Sequence, residues 1–261
     1  MTFLLLALLA HVVADFVLQP DNVVESKGRQ KLGGYLRHGT VVFLCSVAAF
    51  HPYGLGTALV LAAAISLAHI AIDWLKNLVD RGASPARSLG VFVADQCAHA
   101  AVLLAAHELA NTSLVRLSDK VVRFYREVLL PKTTVALAPA WTGAGLSLDR
   151  ALVVAIAYIV AIFAGAVVVR LVLDAFSISV EPRLATNAGR YIGMVERVLM
   201  LTLVLVDALP SIAFVLTAKS LARFQELNDM RFAEYYLVGT LTSACVALAI
   251  GVVAATVLPT L

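Results

Sequence analysis

The sequence predicts an all-α protein: a polytopic transmembrane helical bundle of about seven spans with one amphipathic helix at the membrane surface. Three observations carry that expectation. The chain is 61% hydrophobic and 14% charged, with a mean hydropathy of +0.91, outside the balance of soluble domains. Apolar runs of about 20 residues, the length a helix needs to cross the hydrocarbon core, recur from end to end. Those runs lack the period-two alternation of a membrane barrel strand. The net charge of +3 comes from Lys and Arg gathered between the runs, where they report orientation rather than nucleic-acid binding, and no nucleic-acid module is visible. Cys45, Cys97 and Cys245 lie inside apolar stretches without the spacing of a thiolate pair.

Span one is expected from Thr2 to Gln19, ended by Pro20, Asp21 and Asn22. Its apolar start lacks a basic n-region and runs straight into His11 and Asp15, as a retained span does and a cleaved signal peptide does not. The loop that follows, with Lys27, Arg29, Lys31 and Arg37, is placed in the cytoplasm by its charge, which puts the N-terminus outside. Span two runs from near Tyr35 to near His51, span three from Leu55 to Val79. Asp80, Arg81, Pro85 and Arg87 form a second basic loop on the cytoplasmic side, and span four covers Ser88 to Ala110. Residues 1–110 thus make a four-span N-terminal bundle. Residues 111–149 differ: Arg116, Lys120, Arg123 and Arg126 recur at helical period among apolar residues, an amphipathic surface helix followed by a loop. A three-span C-terminal bundle, 150–261, has spans near Arg150–Phe176, Tyr191–Lys219 and Glu234–Leu258. A multi-pass protein of a bacterial inner membrane is the expected setting, with membrane lipids as its surroundings.

Three of the first four spans carry a His and an Asp four residues apart: His11 with Asp15, His69 with Asp73, and Asp95 with His99. That spacing puts both side chains on one helix face. Because the spans alternate in direction, these pairs and His38 fall in one layer, in or just below the cytoplasmic half of the bilayer. Ionisable residues at such depth are costly and mark ion or substrate sites. Imidazole nitrogens and carboxylate oxygens on facing helices are how bundles hold metals, so His11, Asp15, His38, His69, Asp73, Asp95 and His99 are candidate ligands of a divalent ion. The set without thiolate favours Zn, Mn or Fe over Mg. Seven candidates exceed the four ligands of one zinc, so either two metals bind or some of the seven orient the ligating imidazoles. An unligated carboxylate, Asp95 or Asp15, is the candidate general base.

A second set, Lys76, Arg197, Lys219 and Arg223 with Glu196, has two readings: contact with an anionic lipid or substrate headgroup, or snorkelling and pairing along one helix. Gln19, one turn beyond Asp15, is a candidate hydrogen-bonding residue at the rim.

The segments HVVADFVLQ, LRH at His38, HIAIDWLK and DQCAHA, followed by GRYIGMVERVLMLTLVL, AKSLARF and EYYLVGTLTS, resemble the bacterial membrane family catalogued as domain of unknown function 3307. The resemblance marks His11, Asp15, Gln19, His38, His69, Asp73, Lys76, Asp95, Gln96 and His99, and implies no activity. Polar content alone gives a looser likeness to inner-membrane metal-dependent hydrolases.

These observations lead to an expected integral membrane metal-binding protein, a metal-dependent hydrolase acting from the cytoplasmic side on a lipid-linked or membrane-embedded substrate. The alternative is a cation- or proton-coupled transporter or channel using the same residues. A third reading is a structural subunit whose polar layer only fixes helix register.

Overall fold

A computed structural model of the chain describes residues 1–112, 147–176 and 187–260, which form helices and short connections without strands. Helix α1 spans Thr2–Val17, and its last turn, Val13–Val17, is π-helical. Leu18 N–H donates to the Val13 carbonyl at 2.9 Å, the five-residue closure of that wider turn. Pro20 then stands extended at the head of helix α2, Asp21–Gly28, whose axis lies at 88° to that of α1. The sequence reading has a loop here. Local chemistry makes it a helix, because Pro20 presets the entry and Asp21 favours the positive N-terminus.

Helix α2 ends in a Schellman turn: Lys31 N–H donates to Ser26 O and Gln30 N–H to Lys27 O, with Gln30 left-handed at φ 55°. The chain then enters α3, Leu32–Phe50. Helices α4, Leu55–Val79, and α5, Pro85–Thr112, follow. Helix α6 runs over Leu148–Ala175 with a π-helical stretch at Val160–Ala164. Helices α7, Asn187–Leu205, α8, Pro210–Ala222, and α9, Met230–Val257, complete the described chain. The Asp229 carboxylate caps α9 by accepting from Phe232 N–H.

Among the described residues four helices are long and apolar enough to cross a membrane, α4, α5, α6 and α9, and the bent pair α1 and α2 makes a fifth if counted as one span. The seven spans read from the sequence map onto these with two differences. Helix α3, though 19 residues long, carries Gly33, Gly34, Arg37 and His38, which dilute its apolar character. The sixth span is two helices, because α7 ends in a second Schellman turn: Ala208 N–H donates to Leu203 O and Asp207 N–H to Val204 O, with Asp207 at φ 57°. Pro210, lacking an N–H, then starts α8. The amphipathic helix expected in 111–149 lies outside the described residues, apart from 111–112 in α5 and the start of α6.

The chain forms two units, one of residues 1–81 and 92–152, the other of 82–91 and from 153 onward. In the first unit, Phe3 stacks on Phe50 at 4.7 Å between centroids, with Tyr53 edge-on, over a core that includes Ala7, Val42, Ala58, Ile65 and Leu103. The apolar residues Leu36, Leu44, Val60, Leu67 and Leu104 point outward and are exposed. Apolar side chains on the outside of a bundle fit lipid as solvent. The protein is a membrane-spanning helical protein. The second unit has a smaller core of Met200, Val204, Ile212, Ala244 and Ala247.

Close helix approach sets part of this packing. A Cβ on Gly251 would lie 2.8 Å from Val204, whereas one on Gly90 meets nothing within 4 Å. Gly251→Ala should therefore lower unfolding stability in detergent by about 1–3 kcal/mol. Gly90→Ala should leave it unchanged or raise it by about 0.5–1 kcal/mol. Equal melting temperatures for the two variants would contradict this account of the α7–α9 contact.

Candidate metal centre

The six residues singled out by spacing and His38, placed with them by layer, belong to the first unit, and their side chains cluster. Antiparallel order explains how. His11 and Asp15 lie at the end of α1, His38 near the start of α3, His69 and Asp73 late in α4, and Asp95 and His99 early in α5. The Phe3–Phe50 stack occupies the opposite end of α1, about 18 Å away by helical rise from Phe3 to Asp15.

At the middle of the cluster three ligand-type atoms form a triangle. His38 Nε2 lies 2.9 Å from His69 Nε2, and Asp15 Oδ1 lies 3.2 Å from the first and 3.1 Å from the second. A metal with bonds of about 2.1 Å spaces its ligand atoms by about 3.0 Å along an octahedral edge and about 3.4 Å along a tetrahedral one. The triangle fits that range. His11 Nδ1 is 3.9 Å from Asp15 Oδ2, and ligand atoms of His11, Asp15 and His69 fall within 4.8 Å of one another. The same holds for His38, His69 and Asp73, and for Asp73, Asp95 and His99. The imidazoles pack ring to ring, with His69 and His99 centroids 4.0 Å apart and His11 and His99 5.0 Å apart.

One hydrogen bond prepares a lone pair. His99 Nδ1 lies 2.9 Å from the Asp95 backbone carbonyl, which can only accept, so Nδ1 carries the proton and Nε2 keeps its lone pair. That Nε2 is buried and has no hydrogen-bond partner among the described residues, as is true of Asp95 Oδ1. Buried polar atoms in this state cost several kcal/mol unless a ligand or ion satisfies them.

The residue that sequence reasoning missed is Lys27. Assigned to a basic cytoplasmic loop, it is 5% exposed and donates from Nζ to Asp73 Oδ2 at 2.5 Å. The bend between α1 and α2 turns it inward, and Tyr35 holds that turn in place. Tyr35 Oη sits 3.1 Å from both the Lys27 carbonyl and Gln30 Oε1, and accepts from Asn77 Nδ2 at 3.1 Å. Gly34 allows the approach, since a Cβ there would lie 2.9 Å from the Lys27 backbone nitrogen. The one sequence signal was Val23 and Lys27 four apart on one face, too slight to separate Lys27 from its exposed neighbours Arg29 and Lys31. The other close contact beside the cluster is Ser66 Oγ donating to Gly39 O at 2.6 Å.

Gln19 and Lys76 are half-buried in the first unit. Gln96 Nε2 donates to Asp95 Oδ2 at 3.0 Å. In the second unit, Lys219 pairs with Glu196 at 2.6 Å across two helices, and Arg223 pairs with Glu226 at 2.6 Å. Arg197 turns inward: its Nε donates to Ala161 O, Nη2 to Ile162 O and Nη1 to Ser243 Oγ. The two carbonyls belong to the π-helical stretch of α6, so Arg197 is a buried partner for freed backbone groups.

A family model described as protein of unknown function (DUF3307) matches residues 3–124, a range that contains all seven candidate ligands and Lys27. The C-terminal segments that resemble the same family lie beyond it. No curated protein and no solved structure matches, and the looser likeness to metal-dependent hydrolases has no match behind it.

Removing one partner of a buried ion pair strands the other. In chelator-treated protein, Asp73→Asn should cost about 3–5 kcal/mol of unfolding stability. The double variant Asp73→Asn, Lys27→Met should recover part of that loss. A double variant as unstable as the single one would show that the stranded ammonium is not the cause.

Proposed function

We propose that this chain, whose residues 3–124 belong to the DUF3307 family, is an integral membrane metal-binding protein and a metal-dependent hydrolase. Its substrate is lipid-linked or membrane-embedded and is attacked from the cytoplasmic leaflet. The observation that carries the reading is the triangle of Asp15 Oδ1, His38 Nε2 and His69 Nε2, with edges of 2.9, 3.1 and 3.2 Å. Charge supports it independently. Asp73 and Asp95 are buried and the Asp15 side chain is 9% exposed, and among the described residues Lys27 is the buried lysine beside them, so these four groups sum to two formal negative charges, the charge a divalent ion balances.

Asp15, His38, His69 and His11 hold the ion, with Zn, Mn or Fe suited to this nitrogen and oxygen set. A divalent ion there supplies Lewis acidity and activates water for attack on a phosphoryl or carbonyl centre. Asp95, whose Oδ1 has no partner among the described residues, takes the proton as general base. His99 packs on His69 and His11 and fixes their rings. Gln19 and Lys76 contact the substrate, and Glu196, Arg197, Lys219 and Arg223 serve the second unit through the pairs described above, with Lys219 and Arg223 as contacts for anionic headgroups. The exposed Arg29, Lys31, Arg37 and Arg81 lie near this end of the helices and support the reading that it faces the cytoplasm.

A transporter reading draws on one observation, that each unit contains an interrupted helix: α1 bends into α2, and α7 breaks before α8. The two readings separate in one set of measurements. Detergent-purified protein should carry about one Zn, Mn or Fe per chain by mass spectrometry, falling below about a tenth in His69→Ala. Incubated with membrane lipid extract, it should release a hydrolysis product that Asp95→Asn abolishes while keeping its metal. Metal below about a tenth per chain in the parent protein, unchanged by His69→Ala, would falsify the metal reading. Cation flux into proteoliposomes that requires Asp73, with no product released, would replace hydrolysis by transport.

A further inference from the structure

Three ligand groups share members in this cluster, and Asp73 belongs to two of them: one with His38 and His69, the other with Asp95 and His99. A carboxylate common to two ligand sets is the usual bridge of a two-metal centre. The second set is well prepared to take a cation. Asp95 and His99 are 6% and 3% exposed, and Asp95 Oδ1 and His99 Nε2 have no hydrogen-bond partner among the described residues. Yet a cation of the protein's own is already on the shared carboxylate, the Lys27 ammonium at 2.5 Å from Asp73 Oδ2. That oxygen is also the one facing the imidazoles, at 3.7 Å from His38 Nε2 and 3.8 Å from His69 Nε2.

We infer that Lys27 occupies the second cation position of the centre, so that the protein binds one divalent ion at the Asp15, His38 and His69 triangle and uses a tethered ammonium where a two-metal site has its other ion. This rests on the metal reading above. Charge counting agrees with it. The Asp15, Asp73 and Asp95 carboxylates, the Lys27 ammonium and one divalent ion sum to zero with neutral imidazoles, while a second divalent ion added beside Lys27 would leave these groups with an excess of two positive charges in a low-dielectric interior. Removing the ammonium frees Asp73 Oδ2 and restores the negative potential over Asp73, Asp95 and His99. The latent second site then becomes a three-ligand site for a divalent cation.

The attachment is built, not incidental. Lys27 reaches Asp73 because α2 folds at 88° to α1, because Tyr35 ties the α2 turn to Asn77 of α4, and because Gly34 lets α2 lie against α3. An exposed lysine would gain little from the same ion pair. Here burial makes the ammonium a fixed component of the site.

The test uses full-length protein in detergent, stripped with chelator and titrated with Mn(II) alone. Stoichiometry comes from mass spectrometry of the gel-filtered protein, and the spin state from electron paramagnetic resonance. The parent protein and Lys27→Arg should bind about one Mn per chain with an isolated-ion hyperfine spectrum. Lys27→Met should bind about two, the second more weakly, with an exchange-coupled spectrum. Adding Asp95→Asn to Lys27→Met should return it to about one. The single variant Asp95→Asn should keep about one ion per chain, bound more weakly by about tenfold or less for the lost negative charge, since Asp95 is no ligand while Lys27 is present. That last measurement stands if Lys27→Met fails to fold. Two ions in the parent, one ion in folded Lys27→Met, or loss of the single ion in Asp95→Asn would each overturn the assignment of Lys27. Absence of any ion in the parent would instead overturn the metal reading on which it rests.

Discussion

Three carboxylates at one level of an apolar helix bundle, Asp73 and Asp95 buried and Asp15 9% exposed at its side chain, set the terms for everything around them. Moving a carboxylate out of water costs several kcal/mol even after the protein relaxes, and the cost falls only when an opposite charge and directed hydrogen bonds are supplied nearby. Asp73 has the Lys27 ammonium, Asp95 has the Gln96 amide, and Asp15 has two imidazole nitrogens facing its Oδ1. None of these arrangements forms by chance in hydrocarbon. Each needs a neighbouring backbone close enough to deliver the partner.

That demand explains where the small residues sit. Gly34 lets α2 approach α3 and bring Lys27 over Asp73. Gly39 faces Ile70, where a Cβ would clash, and its carbonyl accepts from Ser66 one turn before His69 and two before Asp73. Small residues at contacts are the general device for tight helix packing in membranes, where lipid is as apolar as leucine and exclusion of water gives no added drive. Here they fall beside polar side chains that must meet across helices. At the other end of the same bundle, Phe3, Phe50 and Tyr53 fill the interior with stacked and edge-on rings, and Phe3 also stacks on His107. One end of the first unit is built for packing and the other for chemistry.

How legible this was depended on the range of the interaction. The pairs His11 with Asp15, His69 with Asp73 and Asp95 with His99 were visible because a four-residue spacing is a local property of a helix, and alternating span direction was enough to put them in one layer with His38. Lys27 was not visible, because its burial depends on a bend of the chain axis that no local pattern encodes. Arg197 was misread for a related reason. Its place near the start of a span suggested snorkelling, but its guanidinium is held by carbonyls freed in a π-helical stretch of α6, 35 residues earlier for Ile162. The break at Asp207 was read as one continuous span, because the left-handed residue that makes the turn is not a glycine.

Both π-helical stretches answer the same physical problem. A widened turn exposes carbonyls and rotates the following side chains, which is why such turns gather at functional sites. In α1 the widened turn is Val13–Val17, centred on Asp15, and it sets that carboxylate against His38 and His69 as well as against His11. In α6 the turn is Val160–Ala164, and the carbonyls of Ala161 and Ile162 meet Arg197. Transport would also call for irregular helices, because unwound segments line an ion path. The irregularity in α1 is already accounted for by the aim of Asp15, and that in α6 by a buried arginine with three hydrogen bonds. A pathway is therefore not required to explain either distortion, and the weight of the reading returns to the fixed cluster of imidazoles and carboxylates, where a held ion has a use without having to move.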